Sequence, residues 1–342
     1  MRMPTYSKRW TWMVLLGAGL GAGCRTVETR TPALIPGPPP AAATASPVNQ
    51  KSAEQLFSEG RAAYESGRDE DARSLFTQAL ERSSRMVNAQ YNLGVIAERQ
   101  GDPVQAAADY QAALRIDDSH LPSILNLGRI ELLNGDYEKA IALFESGLRQ
   151  PTKEHELALL NNLGAAYRLG KNYAKAEATS RAVLSKHGEN VNALKNLALV
   201  FYAQGRYRLA ELVETSAAKV NPRDPGVRND LGLVYLKLGQ PARAVAELRQ
   251  ALELDPKFEV AHRNLGALAL AYRDYPTAQK SFPALVSLAP ESYEAHLDYA
   301  YALQDGQGLD PSKGMEAAAE FERALAIQPS PEKPDGSKGG QP

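Results

Sequence analysis

Between residues 53 and 329, apolar side chains recur at i, i+3 and i+4, the spacing that gathers them on one face of an α-helix. The pattern is itself periodic. A small residue, in most cases directly after Leu, returns at Gly60, Gly94, Gly128, Gly164, Ala198, Gly232, Gly266 and Ala300, at intervals of 34, 34, 36, 34, 34, 34 and 34 residues. Twelve residues after each of the first seven markers stands Ala: Ala72, Ala106, Ala140, Ala176, Ala210, Ala244 and Ala278. Four residues further on, a bulky side chain follows in most units: Phe76, Tyr110, Phe144, Leu248 and Phe282. Small residues at fixed places let two helices approach, and the bulky one fills the gap opposite. Gly67, Gly101, Gly135 and Gly239 sit mid-unit, where a helix needs a residue that tolerates a left-handed end. Pro222, Pro256 and Pro290 close three units and stop the second helix. The pattern predicts an all-α chain of about eight helix-turn-helix units, each able to bury its apolar face only against its neighbours.

A 34-residue period with these small, aromatic and Pro positions resembles the tetratricopeptide repeat (TPR). The resemblance covers nearly 280 residues. It implies a right-handed superhelical solenoid whose inner groove is lined by the first helix of each pair. Two units depart from the pattern. The fourth follows a two-residue insertion near Pro151 to Glu156. The eighth has a lengthened turn, Asp305 to Pro311, before the pattern resumes at Ala317, Phe321, Ala324-Leu325 and Pro329. That turn reads either as a contact loop or as a tolerated surface insertion, since lengthening a loop costs little closure entropy.

Ahead of the repeats the pattern changes character. Arg2, Lys8 and Arg9 precede an uncharged stretch from Trp12 to Gly23, too short for a membrane-spanning helix and suited to a signal-peptide core. Residues 1–23 therefore read as a signal peptide. The stretch ends Leu20-Gly21-Ala22-Gly23-Cys24, which resembles a bacterial lipobox and implies lipidation of Cys24. Gly21 departs from the apolar residue usual at its place. Arg25 follows the cysteine where an Asp would imply retention at the inner membrane, so the resemblance implies an outer-membrane lipoprotein facing the periplasm. Residues 24–52 are rich in Pro and Ala, too poor in apolar residues to fold, and read as a tether. Its 26 residues from Arg25 to Gln50 could extend about 80 Å. Residues 330–342 read as a disordered tail.

Composition removes several classes of function. The formal net charge of the whole chain is -1 and no Lys/Arg run occurs, which argues against nucleic acid as partner. Loss of residues 1–23 removes three basic residues and no acidic ones. Cys24 is the single cysteine, so no internal disulfide can form. His120, His155, His187, His262 and His296 are scattered, without the spacing that sets two imidazoles on one helical face. Signal, tether, repeats and tail use up the chain, leaving no segment for a catalytic domain. No phosphate loop or nucleophile elbow appears. The expectation is a non-enzyme with no cofactor and no metal.

Two residues before the marker stands Asn or Asp in seven units: Asn92, Asn126, Asn162, Asn196, Asp230, Asn264 and Asp298. In some members of the resembled family such an Asn ladder holds a peptide backbone, and an amide has the donors and acceptor to do so. The other reading is that these side chains bond locally. One position earlier come Lys195, Asn229 and Arg263, which with Lys237 suggest a basic stripe for an acidic segment or a C-terminal carboxylate, or else a solvated charged surface. His262 and His296 occupy equivalent places and read as a pH-sensitive contact or as packing histidines.

These readings converge on a membrane-anchored scaffold binding a protein or peptide partner. Its domain order resembles TPR pilotins of type IV pilus or secretion machines and the TPR lipoproteins of gliding motility. The alternatives are a non-catalytic accessory or co-chaperone subunit of a cell-wall or periplasmic enzyme system, or a co-chaperone that keeps its N-terminus. Oligomeric state is not encoded in any of these patterns.

Overall fold

The computed structural model describes residues 51–149, 153–306 and 312–327. The signal peptide, Cys24, the tether before Lys51, the loop at 307–311 and the tail lie outside the described residues, as do residues 150–152, where the insertion near Pro151 to Glu156 begins. Among the described residues there are 16 α-helices and no strand. They run α1 (Ala53–Glu65), α2 (Asp69–Arg82), α3 (Val87–Arg99), α4 (Pro103–Ile116), α5 (Leu121–Asn134), α6 (Tyr137–Gly147), α7 (Lys153–Leu169) and α8 (Tyr173–Lys186). Then follow α9 (Val191–Ala203), α10 (Tyr207–Val220), α11 (Pro225–Lys237), α12 (Pro241–Leu254), α13 (Glu259–Ala271), α14 (Tyr275–Leu288), α15 (Tyr293–Asp305) and α16 (Lys313–Ile327).

The helices belong to two compact units, one ending at Val213 and the other beginning at Glu214, a division that falls inside α10. In the first unit α1 packs on α2, α3 on α4, α5 on α6 and α7 on α8, and each second helix packs on the next first helix. In the second unit α11 pairs with α12, α13 with α14 and α15 with α16 in the same way. The odd-numbered helices are the first members of the pairs.

The seven alanines at the twelfth position after the markers are all completely buried. Five of the marker glycines lack a side chain for a steric reason. A Cβ built on Gly94 would lie 2.6 Å from the Tyr110 ring, on Gly266 2.7 Å from Phe282, on Gly60 2.8 Å from Phe76 and on Gly232 2.9 Å from Leu248. On Gly128 it would meet Phe144 closer still. The fourth repeat differs. Its bulky slot holds Ser180, and a Cβ on Gly164 would find nothing nearer than 3.5 Å. In the fifth repeat Glu214 takes that slot and is buried.

The helix ends follow from local chemistry. Ser52 and Gln55 form a reciprocal capping box at α1, with the Gln55 amide 3.2 Å from Ser52 Oγ and the Ser52 amide 2.9 Å from Gln55 Oε1. Asp102, Asn172, Asn190, Asp224, Asp274 and Ser292 cap six further helices through their side chains. Between paired helices one residue adopts positive φ. It is glycine at 67, 101, 135, 205 and 239, but Lys171 (φ 61°) and Arg273 (φ 59°) hold the same conformation.

Candidate functional site

The Asn/Asp ladder stands on the first helices, and its side chains are tied to the array itself. Asn126 Nδ2 on α5 donates to Tyr91 Oη on α3 at 3.0 Å. Asn196 Nδ2 on α9 donates to the Asn161 carbonyl on α7 at 2.9 Å. Asn264 Nδ2 on α13 donates to Asn229 Oδ1 on α11 at 2.8 Å. Each acceptor lies 35 residues back, one repeat and one residue earlier. The fourth link has the same spacing: Asp298 on α15 feels the charge of Arg263 on α13. Burial pushes the Asp298 carboxyl up to about 7, and Arg263 pulls the other way.

In the second unit the links join into a relay. Asn229 is completely buried, and its Nδ2 donates to Asp230 Oδ1 at 3.1 Å. A carboxylate only accepts, so Asn229 must turn its amide nitrogen to Asp230 and its oxygen to Asn264. Asn264 must then supply Nδ2. The carboxylate of Asp230 thereby fixes the orientation of two amides, and Asn264 Oδ1 is the end of the relay.

These contacts revise the basic stripe. Asn229 is spent inside the relay and offers no donor to an acidic ligand. Lys195 is buried in the first compact unit. Arg263 acts electrostatically on Asp298, and burial holds the Lys237 ammonium below the usual lysine range. Asn92 is completely buried, and Asn162 is half-buried. Three acceptor positions escaped the sequence reading as partners of the ladder: Tyr91, Asn161 and Asn229. Their signal is the residue just before the ladder position one repeat earlier. His262 and His296 do not turn to each other. Nε2 of each donates to a Pro carbonyl six residues back, Pro256 at 2.9 Å and Pro290 at 2.8 Å.

Models of the family described as tetratricopeptide repeat match residues 57–120, 97–163, 164–227, 195–257 and 229–278, well over half of the chain. The chain belongs to the tetratricopeptide-repeat family. Among solved structures, a tetratricopeptide repeat protein from Parabacteroides merdae superposes with a TM-score of 0.63 at 19% identity, covering 80% of this chain and 98% of that one. That likeness concerns the TPR fold. Among relatives, Hsp70-Hsp90 organizing protein 2 of Arabidopsis thaliana is 25% identical over 59% of this chain and 42% of its own length. A TPR repeat-containing protein of Pseudomonas aeruginosa is 28% identical over 51% of this chain and 35% of its own. BBSome complex member BBS4 of Bos taurus is 24% identical over 82% of this chain and 52% of its own. This TPR chain therefore spans about a quarter to a half of the length of the first of these relatives.

A TPR array offers surfaces for protein–protein contact. Among the described residues no group of three or more His, Cys, Asp or Glu is placed to hold a metal ion. No described helix is long and apolar enough to cross a membrane.

Proposed function

We propose that this TPR chain is a non-catalytic scaffold whose first-helix face holds an extended segment of a partner protein, and that Cys24 anchors it by a lipid to the cell envelope, at the outer membrane. The observation that carries the binding face is the in-phase row of seven Asn and Asp residues, three of whose amides are held in one orientation by bonds 35 residues back. Asn196 is buried, whereas Asn126 and Asn264 are only partly buried, and with Nδ2 committed to the array their carbonyl oxygens are the atoms that would meet a ligand donor. A peptide backbone supplies N–H donors at regular intervals, so an extended segment fits this chemistry better than a carboxylate does. The anchor rests on Ala22-Gly23-Cys24 after an uncharged stretch and on the Pro-rich segment that follows. Assembly of an envelope machine such as a pilus, secretion or motility complex is the setting that suits a tethered scaffold.

The test is a cross-linking pull-down from native membranes with the tagged full chain beside Cys24→Ser. Fractionation of the wild type with the outer membrane, together with a machine subunit, and loss of that fractionation in Cys24→Ser, supports the tethered scaffold. Identical, unanchored behaviour of both removes the anchor and leaves the repeat scaffold. A second reading, an accessory or co-chaperone subunit, draws on the relative named Hsp70-Hsp90 organizing protein. Recovery of chaperones in place of envelope subunits would favour it.

A further inference from the structure

The third residue after the marker sits beside a cation in repeats three to six. In the third repeat it is Glu131, with Lys139 Nζ 3.8 Å away. In the next three it is an aromatic ring. The Lys175 ammonium lies 5.0 Å from the centroid of Tyr167, the Arg206 guanidinium 4.4 Å from that of Phe201 and the Arg243 guanidinium 3.8 Å from that of Tyr235. Arg243 also donates to Tyr235 Oη at 2.5 Å. In the second repeat Ala97 takes this place, and the ring comes from the repeat before: Tyr64 packs on the cluster that holds Ala97, with the Arg99 guanidinium 3.5 Å from its centroid.

The seventh repeat departs from this pattern. Ala269 stands where the sixth repeat has Tyr235, and Thr277 stands where it has Arg243. The result is a surface cavity of about 140 Å³. Val245 of α12 lines it together with Leu265, Leu268 and Ala269 of α13, and Tyr272, Asp274 and Thr277 complete the lining. An apolar cavity of about 150 Å³ holds one benzene ring. An indole is too large for such a space. A cation is still supplied, now from the neighbouring helix: Arg249 of α12 is exposed, and its Nη2 lies 3.5 Å from Thr277 Oγ1. The seventh repeat thus keeps a cation and lacks the ring that would sit beside it.

We propose that this cavity is a socket for a tyrosine side chain of a partner protein, seated on Ala269 with Arg249 against its face. The partner supplies from outside what repeats four to six supply from within. Three properties of the site select the guest. Its volume admits one six-membered ring. Its Val, Leu and Ala side chains reward burial of that ring. The positive guanidinium complements the negative face of an electron-rich ring, as Arg243 complements Tyr235, and a guanidinium donor also serves a phenol oxygen there. None of the ladder residues lines the cavity, so the socket and the first-helix face are tested separately.

The experiment is methyl NMR of the full chain, titrated to millimolar concentration with acetyl-Gly-Tyr-Gly-amide. The same peptide carrying cyclohexylalanine or Ala in place of Tyr serves for comparison. The tyrosine peptide should shift the methyl signals of Val245, Leu265, Leu268 and Ala269 by its ring current, and the Ala peptide should leave them unmoved. Cyclohexylalanine matches the ring in size without its charged face and should bind about threefold more weakly. Ala269→Tyr, which rebuilds the sixth-repeat ring within the chain, should exclude the peptide and keep the thermal midpoint. Arg249→Gln, at an exposed position, should erase the preference for tyrosine over cyclohexylalanine, and it decides the matter if Ala269→Tyr disturbs the packing. The proposal is overturned if the tyrosine peptide moves none of the four methyl signals, if a folded Ala269→Tyr binds it as the wild type does, or if Arg249→Gln keeps the full preference.

Discussion

At the scale of single residues, the array is decided by what faces each marker. Five marker glycines face a ring or Leu248 so closely that no Cβ fits, while Gly164 faces Ser180 across ordinary contact distance. Gly128→Ala should therefore cost about 1–3 kcal/mol by overpacking. Gly164→Ala should stabilise by about 0.5–1 kcal/mol, because a helical Gly is less favourable than Ala. Urea midpoints of the two variants check the pair, and equal destabilisation would contradict the packing. Asp298 carries a pH prediction. Its folded carboxyl titrates near 7, above the ordinary value of 3.8, so the folded state binds this proton more tightly than the unfolded chain does. Stability should be full at and below about pH 4, fall as pH rises towards about 7 and level off beyond it. Asp298→Asn should flatten that fall, measured as denaturation midpoints at several pH values between 4 and 8. The marker glycines and their rings were legible in the sequence because period and volume alone determine them. The Asp298 environment was not, since it depends on a residue in another repeat.

At the scale of helices and turns, the 34-residue period located the pairs, and mid-unit glycines located the turns. Lys171 and Arg273 hold the same left-handed turn without that signal, because the neighbouring helices impose the conformation over local preference. A side chain in that region costs about 1–2 kcal/mol. Lys171→Gly should recover roughly 1 kcal/mol, read as a raised thermal midpoint with unchanged helical content. The ladder was visible as a row of Asn and Asp, but its polarity was not. Which amide atom faces inward is fixed by the residue 35 positions back, and that partner is a hydroxyl in one case, a main-chain carbonyl in another and a side-chain amide in a third. Asn264→Ala should leave Asn229 Oδ1 without its donor, at a cost of about 1–3 kcal/mol. A double-mutant cycle with Asn229→Ala should show coupling, and strict additivity would remove the relay. The same geometry changes how a binding test is designed. Asn126 and Asn196 join repeats, so changing them weakens the array itself, whereas Asn162 is the ladder residue of choice for testing partner capture alone.

At the scale of the whole molecule, the family, the helix count and the all-α class follow from periodicity, which a repeat protein writes many times over in its sequence. The links between repeats are written once each. In the ladder they are Asn to Tyr, Asn to a carbonyl, Asn to Asn and Asp beside Arg, no two alike. This heterogeneity gives every junction an address. A gene rearrangement that moved the seventh repeat behind the third would set Asn264 against Leu125, which has no side-chain acceptor. Repeats with one period and one outline would then meet without their amide-to-amide link. The chain reads as a sentence of similar words in fixed order, and shuffling it for engineering would require each repeat to travel with the one before it.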